Sequence, residues 1–315
     1  MSIDGPQILR QFLADKSELT RVAYSGDLED FRSRIGAKST PEAIQWLFGH
    51  GHASAQLLLA RYRARMLDSK GGGRPLGPAT VNRRLSALRS LGKVMRTLGI
   101  ISWALDAENE KAVLRRVRRP RREAIVRIFR HLRSLPHTDS ALRDLALFHF
   151  LYELGLRRGE ICSLDVSHVV GRRILIPATR KRSRQLLLLP AAVKRAIDDW
   201  LRVRRGRGSA LFVGLNPIHL TKTRKRLCGS AVYAIVKTRA REAGVDWKTI
   251  WPYGIRHTAI IEGVAVSAKS GKRLRDPAQF SRRIDPCTLS KYDDRDASLQ
   301  GELSEALSIP VRAKK

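Results

Sequence analysis

Apolar residues recur at three- and four-residue spacing through the first third of the chain, over residues 8–14, 21–35, 41–48, 53–67 and 79–98. That is the period of helices with one buried face. Ser39-Thr40-Pro41 and Gly77-Pro78-Ala79-Thr80 supply helix-start signals. The pattern predicts a compact helical bundle. In its last segment Val81, Leu85, Leu88, Leu91 and Met95 form one apolar stripe, while Arg83, Arg84, Arg89, Lys93 and Arg96 occupy the remaining positions. Such a helix packs inward and offers cations outward; a solvated charged face is the plainer alternative.

The pattern changes beyond a run of arginines, Arg115-Arg116-Val117-Arg118-Arg119-Pro120-Arg121-Arg122. Pro120 would interrupt a helix there, so a domain boundary is expected at this point: a helical domain over residues 1–115, a basic linker over 116–122 and a second domain over 123–315. In the second domain a strongly apolar helix is predicted over 141–154, ending at Gly155, and another over 159–164. Two short strand-like runs follow, 173–177 and 185–189, joined by the basic turn Ala178-Thr179-Arg180-Lys181-Arg182-Ser183-Arg184. Helices resume over 191–204, 230–243 and 257–268, with one more near 302–307. The expected fold class is mainly α with a small antiparallel β-sheet, an α+β chain in two domains.

Composition narrows the partners. At 315 residues, 61 Lys+Arg stand against 29 Asp+Glu, a formal charge of +32. A field of that size draws a protein toward a polyanion, and nucleic acid is the first candidate. A membrane surface fits poorly: no apolar run approaches the ~20 residues that span a bilayer, and the start MSIDGPQ lacks the marks of a signal peptide. A cytoplasmic protein is expected, nucleoid-associated when bound to DNA. With 43% apolar residues spread along the chain, the composition is globular rather than that of a short ribosomal protein with basic tails. Cys162, Cys228 and Cys287 lie far apart with no CxxC pair, so no disulfide framework, no metal site and no cofactor is suggested.

Breaking a phosphodiester without a metal needs a nucleophile, cations around the non-bridging oxygens and an acid for the leaving oxygen. Arg157 lies between two predicted helices, in Leu154-Gly155-Leu156-Arg157-Arg158-Gly159-Glu160-Ile161. A cation at a helix N-terminus opposes the helix dipole unless an anion joins it, which suits a phosphate; a surface arginine paired with Glu160 or Glu153 is the alternative.

This segment resembles the "TGLRxxEL" box of the tyrosine recombinase (phage-integrase) family, with Arg157 at the phosphate-binding arginine and Glu160 at the following glutamate. Tyr253-Gly254-Ile255-Arg256-His257-Thr258 resembles the family's second box, H-x-L-R-H-T, and places Arg256 at the second arginine. Tyr253 stands where histidine is usual, and His257 reads as a packing residue. The sharpest match is Phe280-Ser281-Arg282-Arg283-Ile284-Asp285-Pro286-Cys287-Thr288-Leu289-Ser290-Lys291-Tyr292-Asp293-Asp294, similar to "FSRHxDxRTLxxYDD". By this resemblance Tyr292 is the nucleophile, and Arg283 stands where histidine is common, keeping a positive donor there. The family's hairpin lysine, which protonates the leaving 5′ oxygen, falls in the turn Arg180-Lys181-Arg182. Lys181 is the choice, because arginine holds its proton too tightly to act as an acid; a turn that only grips phosphates is the alternative.

The resemblance runs from about Ile8 to Leu307 and includes, by pattern alone, the family's helical (SAM-like) core-binding domain. It implies a two-domain clamp on double-stranded DNA, a monomer when free and a homo-tetramer on DNA. It also implies a site-specific recombinase or integrase working through a 3′-phosphotyrosyl intermediate with no cofactor. The catalytic set would be Tyr292, Arg157, Arg256, Lys181, Tyr253 and Arg283, with Arg83, Arg84, Arg89, Lys93, Arg118, Arg119, Arg121, Arg122, Arg180 and Arg182 on DNA. Two alternatives stay open: a non-catalytic DNA-binding relative, and a topoisomerase- or resolvase-type enzyme of the same chemistry.

Overall fold

The computed structural model describes residues 4–68, 75–110, 119–179, 183–204, 208–215 and 225–269. The chain divides into two compact units, residues 1–116 and 117–315. The first contains α1 (Gly5–Ala14), α2 (Glu18–Ile35), α3 (Thr40–Phe48), α4 (Gly51–Leu67) and α5 (Pro78–Thr97). Local chemistry sets several ends. Asp4, Ser17 and Ser39 cap α1, α2 and α3 by accepting from the backbone N–H groups of Gln7, Thr20 and Glu42. Gly36 ends α2 with a left-handed φ of 84°.

The five helices bury a shared core that includes Phe12, Phe31, Leu47, Tyr62, Leu88 and Leu91. The predicted α5 stripe is its inner face: Val81, Leu85, Leu88, Leu91 and Met95 are all buried. The cations on α5 are employed within the unit. Arg83 pairs with the buried carboxylate of Asp27 on α2. Arg84, only 17% exposed, reaches Asp30 at 2.8 Å, and Tyr62 donates to the same Asp30 at 2.9 Å. Arg89 donates to the Ala107 carbonyl and to Asn109, both at 2.9 Å. Burial raises the pKa of Asp27, and Arg83 and then Arg84 oppose that rise. Lys93 is exposed.

The second unit contains α6 (Arg122–Ser134), α7 (Asp139–Tyr152), α8 (Arg158–Ser163), β1 (Val169–Val170), β2 (Arg173–Ile176), β3 (Gln185–Leu188), α9 (Ala191–Val203), α10 (Gly229–Glu242) and α11 (Pro252–Lys269). The expected class, mainly helical with a small antiparallel sheet, is what the described residues form. The sheet has the order β1-β2-β3, antiparallel throughout, with Val169 opposite Ile174 and Ile174 opposite Leu187. Ile174 and Ile176 face the core.

Two elements go beyond the sequence expectation. Helix α6 occupies a stretch read as the end of a linker and the start of an unassigned segment, and Arg122 is its first residue. Strand β1 is two residues long, too short to show a period. Helix α11 also starts five residues before the expected 257, at Pro252, a residue well suited to a first helical turn. The expected helix near 302–307 lies outside the described residues.

Helix α7 is the axis of this unit. Ala146, Leu147, Phe148, Phe150 and Leu151 are all fully buried, and α6, α9 and α11 pack around it. Its polar groups are matched: Arg143 pairs with Asp144, which also takes Arg239 of α10 at 2.8 Å. Trp200 of α9 is buried, and its indole N–H donates to the Leu211 carbonyl at 2.9 Å. Trp200→Ala should therefore cost about 3–5 kcal/mol. Urea unfolding checks this: a lowered midpoint at unchanged slope is expected, and a midpoint equal to the parent's would contradict the packing described.

Candidate active site

Two segments meet behind the end of α7. The chain leaves that helix through Gly155, whose φ of 53° is left-handed, and Leu156 N–H donates back to Phe150 at 2.9 Å. This turn sets Arg157 as the N-cap residue of α8. Glu160 fixes it from both sides: one carboxylate oxygen accepts from the Arg157 backbone N–H at 2.7 Å, the other from its guanidinium at 2.8 Å. The anion that the helix start calls for is thus partly supplied by the chain itself, and the Arg157 side chain stays 29% exposed.

Arg256 lies in the first turns of α11 and is 1% exposed. Its guanidinium donates to the carbonyl oxygen of Gly155. The two arginines picked out by the sequence boxes are thereby connected through a backbone group two residues from Arg157. The rest of the second box is equally constrained. A Cβ on Gly254 would stand 3.0 Å from Pro120 Cδ and 3.0 Å from the Trp251 ring, so a larger residue there would crowd both. Thr258 Oγ1 donates to the Pro120 carbonyl at 2.6 Å and to Gly254 at 3.2 Å. Tyr253 is 50% exposed, its ring stacked on His257 with centroids 6.1 Å apart.

One turn further along α11, Glu262 accepts from the Tyr152 hydroxyl of α7 and pairs with Arg122 at 3.2 Å. Burial, followed by this contact with Glu262, pushes the Tyr152 phenol well above its usual range. A cleft of about 370 Å³ beside these residues is lined by Arg119, Arg121, Arg122, Thr258 and Glu262, among others. Arg121 precedes α6 as its N-cap.

The structure therefore links Arg256 to the turn that carries Arg157, with Tyr253 three residues before Arg256 on α11 and Arg119, Arg121 and Arg122 beside Thr258 and Glu262 of the same helix. The readings of Arg118, Arg180, Lys181, Arg182, Arg283 and Tyr292 lie outside the described residues. Sequence reasoning gave no role to Thr258, Glu262 or Tyr152. The i, i+4, i+8 spacing of Gly254, Thr258 and Glu262 marks them as one helical face, but what that face meets is set by folding. Among the described residues no group of three or more His, Cys, Asp or Glu is placed to hold a metal. No described helix is long and apolar enough to cross a membrane.

The second unit is thus mainly helical, with a three-stranded sheet and two arginines linked through the Gly155 carbonyl. The phage integrase family matches residues 119–262. A tyrosine recombinase of Synechocystis sp. is 32% identical over 309 residues, covering 96% of this chain and 94% of that protein. The chain belongs to the tyrosine recombinase family. Among solved structures, the XerH site-specific recombinase bound to its palindromic difH substrate shares the fold at 15% identity with a TM-score of 0.64, covering 91% of this chain and 80% of that one. A lambda integrase tetramer bound to a Holliday junction does so at 13% identity with a TM-score of 0.63, covering 92% and 76%.

Glu160→Ala would leave the Arg157 N–H and guanidinium without their described acceptor. The expected loss is about 1–3 kcal/mol, smaller in Glu160→Gln, which keeps an acceptor oxygen. Urea midpoints of the two variants check the order; equal midpoints for Glu160→Ala and the parent would contradict it.

Proposed function

We propose that this chain is a site-specific DNA recombinase that cleaves and rejoins duplex DNA through a 3′-phosphotyrosyl link at Tyr292. The Tyr292 oxygen attacks the scissile phosphorus, its proton passing to solvent; the bond from phosphorus to the 5′ oxygen breaks, and that oxygen leaves with a proton from Lys181. The phosphodiester energy stays in the protein–DNA bond, and the 5′ hydroxyl of a second strand reverses the step on a new partner. Arg157, Arg256 and Arg283 meet the charge that develops on the non-bridging oxygens, with Tyr253 as a hydroxyl donor. Strand exchange between two duplexes takes four subunits, so the acting form is a tetramer on DNA.

In the first unit Lys93 faces DNA phosphates together with Arg83, Arg84 and Arg89 in so far as their internal partners release them. Arg118, Arg119, Arg121, Arg122, Arg180 and Arg182 grip the backbone from the second. The domains act as residues 1–115 and 123–315, joined by the arginine-rich segment 116–122.

The observation that supports this reading most is the bond from buried Arg256 to the Gly155 carbonyl. It couples the two phosphate-binding boxes within one rigid turn, which is how several cations can be held for a single phosphate. The test is a covalent-adduct assay in cells carrying the native DNA: the protein is denatured and recovered, and any attached DNA is sequenced. The parent should carry DNA joined at one or a few sequences, and Tyr292→Phe should carry none. Arg157→Ala should form adduct about a hundred- to thousandfold more slowly. A folded parent without attached DNA would overturn the catalytic reading and favour a DNA-binding relative.

A further inference from the structure

Two cysteines sit on elements that pack together near Arg157. Cys162 is half-buried in the last turn of α8, and Cys228 is the N-cap of α10, exposed at the surface. Helices α8 and α10 are in contact. The chain entering Cys228 is also fastened to the chain leaving Cys162: Arg226 donates to the carbonyls of Cys162 at 3.0 Å and Leu164 at 2.9 Å, and pairs with Asp165. Arg158 of α8 lies against α10, its Nε 2.9 Å from where a Cβ on Gly229 would stand. The residues on either side of Cys228, Arg226 and Gly229, thus meet α8 at the Cys162 carbonyl and at Arg158.

The thiols are not equivalent. Cys228 Sγ lies 3.0 Å from Ser230 Oγ at the start of a helix of 14 residues. That hydroxyl, followed by the backbone N–H of Ala231, favours the thiolate and lowers its pKa. For Cys162 burial, and next the neighbouring Cys228, push the thiol up. Cys228 is therefore the exposed thiol with the lowered pKa, and Cys162 the half-buried one with the raised pKa.

We propose that Cys228 and Cys162 form an oxidisable dithiol that a peroxide closes to a disulfide, tying α8, which Arg157 opens, to the start of α10. The Cys228 thiolate attacks one peroxide oxygen; the O–O bond breaks, hydroxide leaves and a sulfenic acid forms. The Cys162 sulfur then attacks the Cys228 sulfur, and the departing hydroxide takes the Cys162 proton as water. In sum two thiols and one hydrogen peroxide give one disulfide and two waters. In a reducing compartment such a bond is transient and serves as a sensor rather than a structural staple.

The test uses the full-length protein, first reduced, next treated with hydrogen peroxide, alkylated and mapped by mass spectrometry without reductant. The expected product is a peptide pair joined through Cys162 and Cys228 and separated by dithiothreitol. Before oxidation, Cys228 should alkylate about tenfold faster than Cys162. In Cys162→Ser the sulfenic acid should persist on Cys228, where dimedone captures it; in Cys228→Ser, Cys162 should remain a thiol. A fully oxidised parent with no link between the two, or with Cys287 joined to either instead, would overturn the proposal. The readout does not depend on DNA cleavage, so it stands apart from the test of the recombinase reading.

Discussion

The second unit is organised around a buried guanidinium. Removing an arginine charge from water costs several kcal/mol unless acceptors replace the water, and Arg256 is almost fully enclosed. One acceptor is the Gly155 carbonyl, available because the chain turns through a left-handed glycine at the end of α7. The requirement runs in both directions. The turn must hold its carbonyl toward α11, which fixes where α8 begins and hence where Arg157 stands. Helix α11 must lie against α7, and Glu262 reinforces that placement through Tyr152.

Much of this was legible in the sequence. The helices of the first unit follow from apolar spacing and capping residues, because each signal is local: Ser39 meets Glu42 three residues on, and the α5 stripe repeats within one helix. The motif arginines were equally plain. Helix α6 carries a helical period in Ile125, Ile128, Phe129 and Leu132, but the arginines around Pro120 interrupt the pattern where the helix begins. Helix α11 takes in the whole second box because Pro252, whose fixed φ suits a first helical turn, starts it ahead of Tyr253.

What sequence could not supply is the destination of each polar group. Asp27 and Arg83 are 56 residues apart, and Arg143, Asp144 and Arg239 join helices nearly a hundred residues apart. The large positive charge suggested arginines turned outward. Several are instead bonded inward, since a helical bundle with buried carboxylates needs cations for its own stability before any remain for a ligand. Net charge therefore describes the field that a polyanion meets at a distance, and says little about which guanidinium makes contact.

The geometry of α11 carries this one step further. Gly254, Thr258 and Glu262 lie on one face, against Pro120 and Arg122, while Arg256 lies on the opposite side, against Gly155. A rigid helix held on both faces cannot rotate at one without moving the other. The Thr258 hydroxyl is bonded to the Pro120 carbonyl at 2.6 Å, two residues along the helix from Arg256. The end of the arginine-rich segment and the two arginine boxes are thus tied to the same helix, through Thr258 on one face and Arg256 on the other.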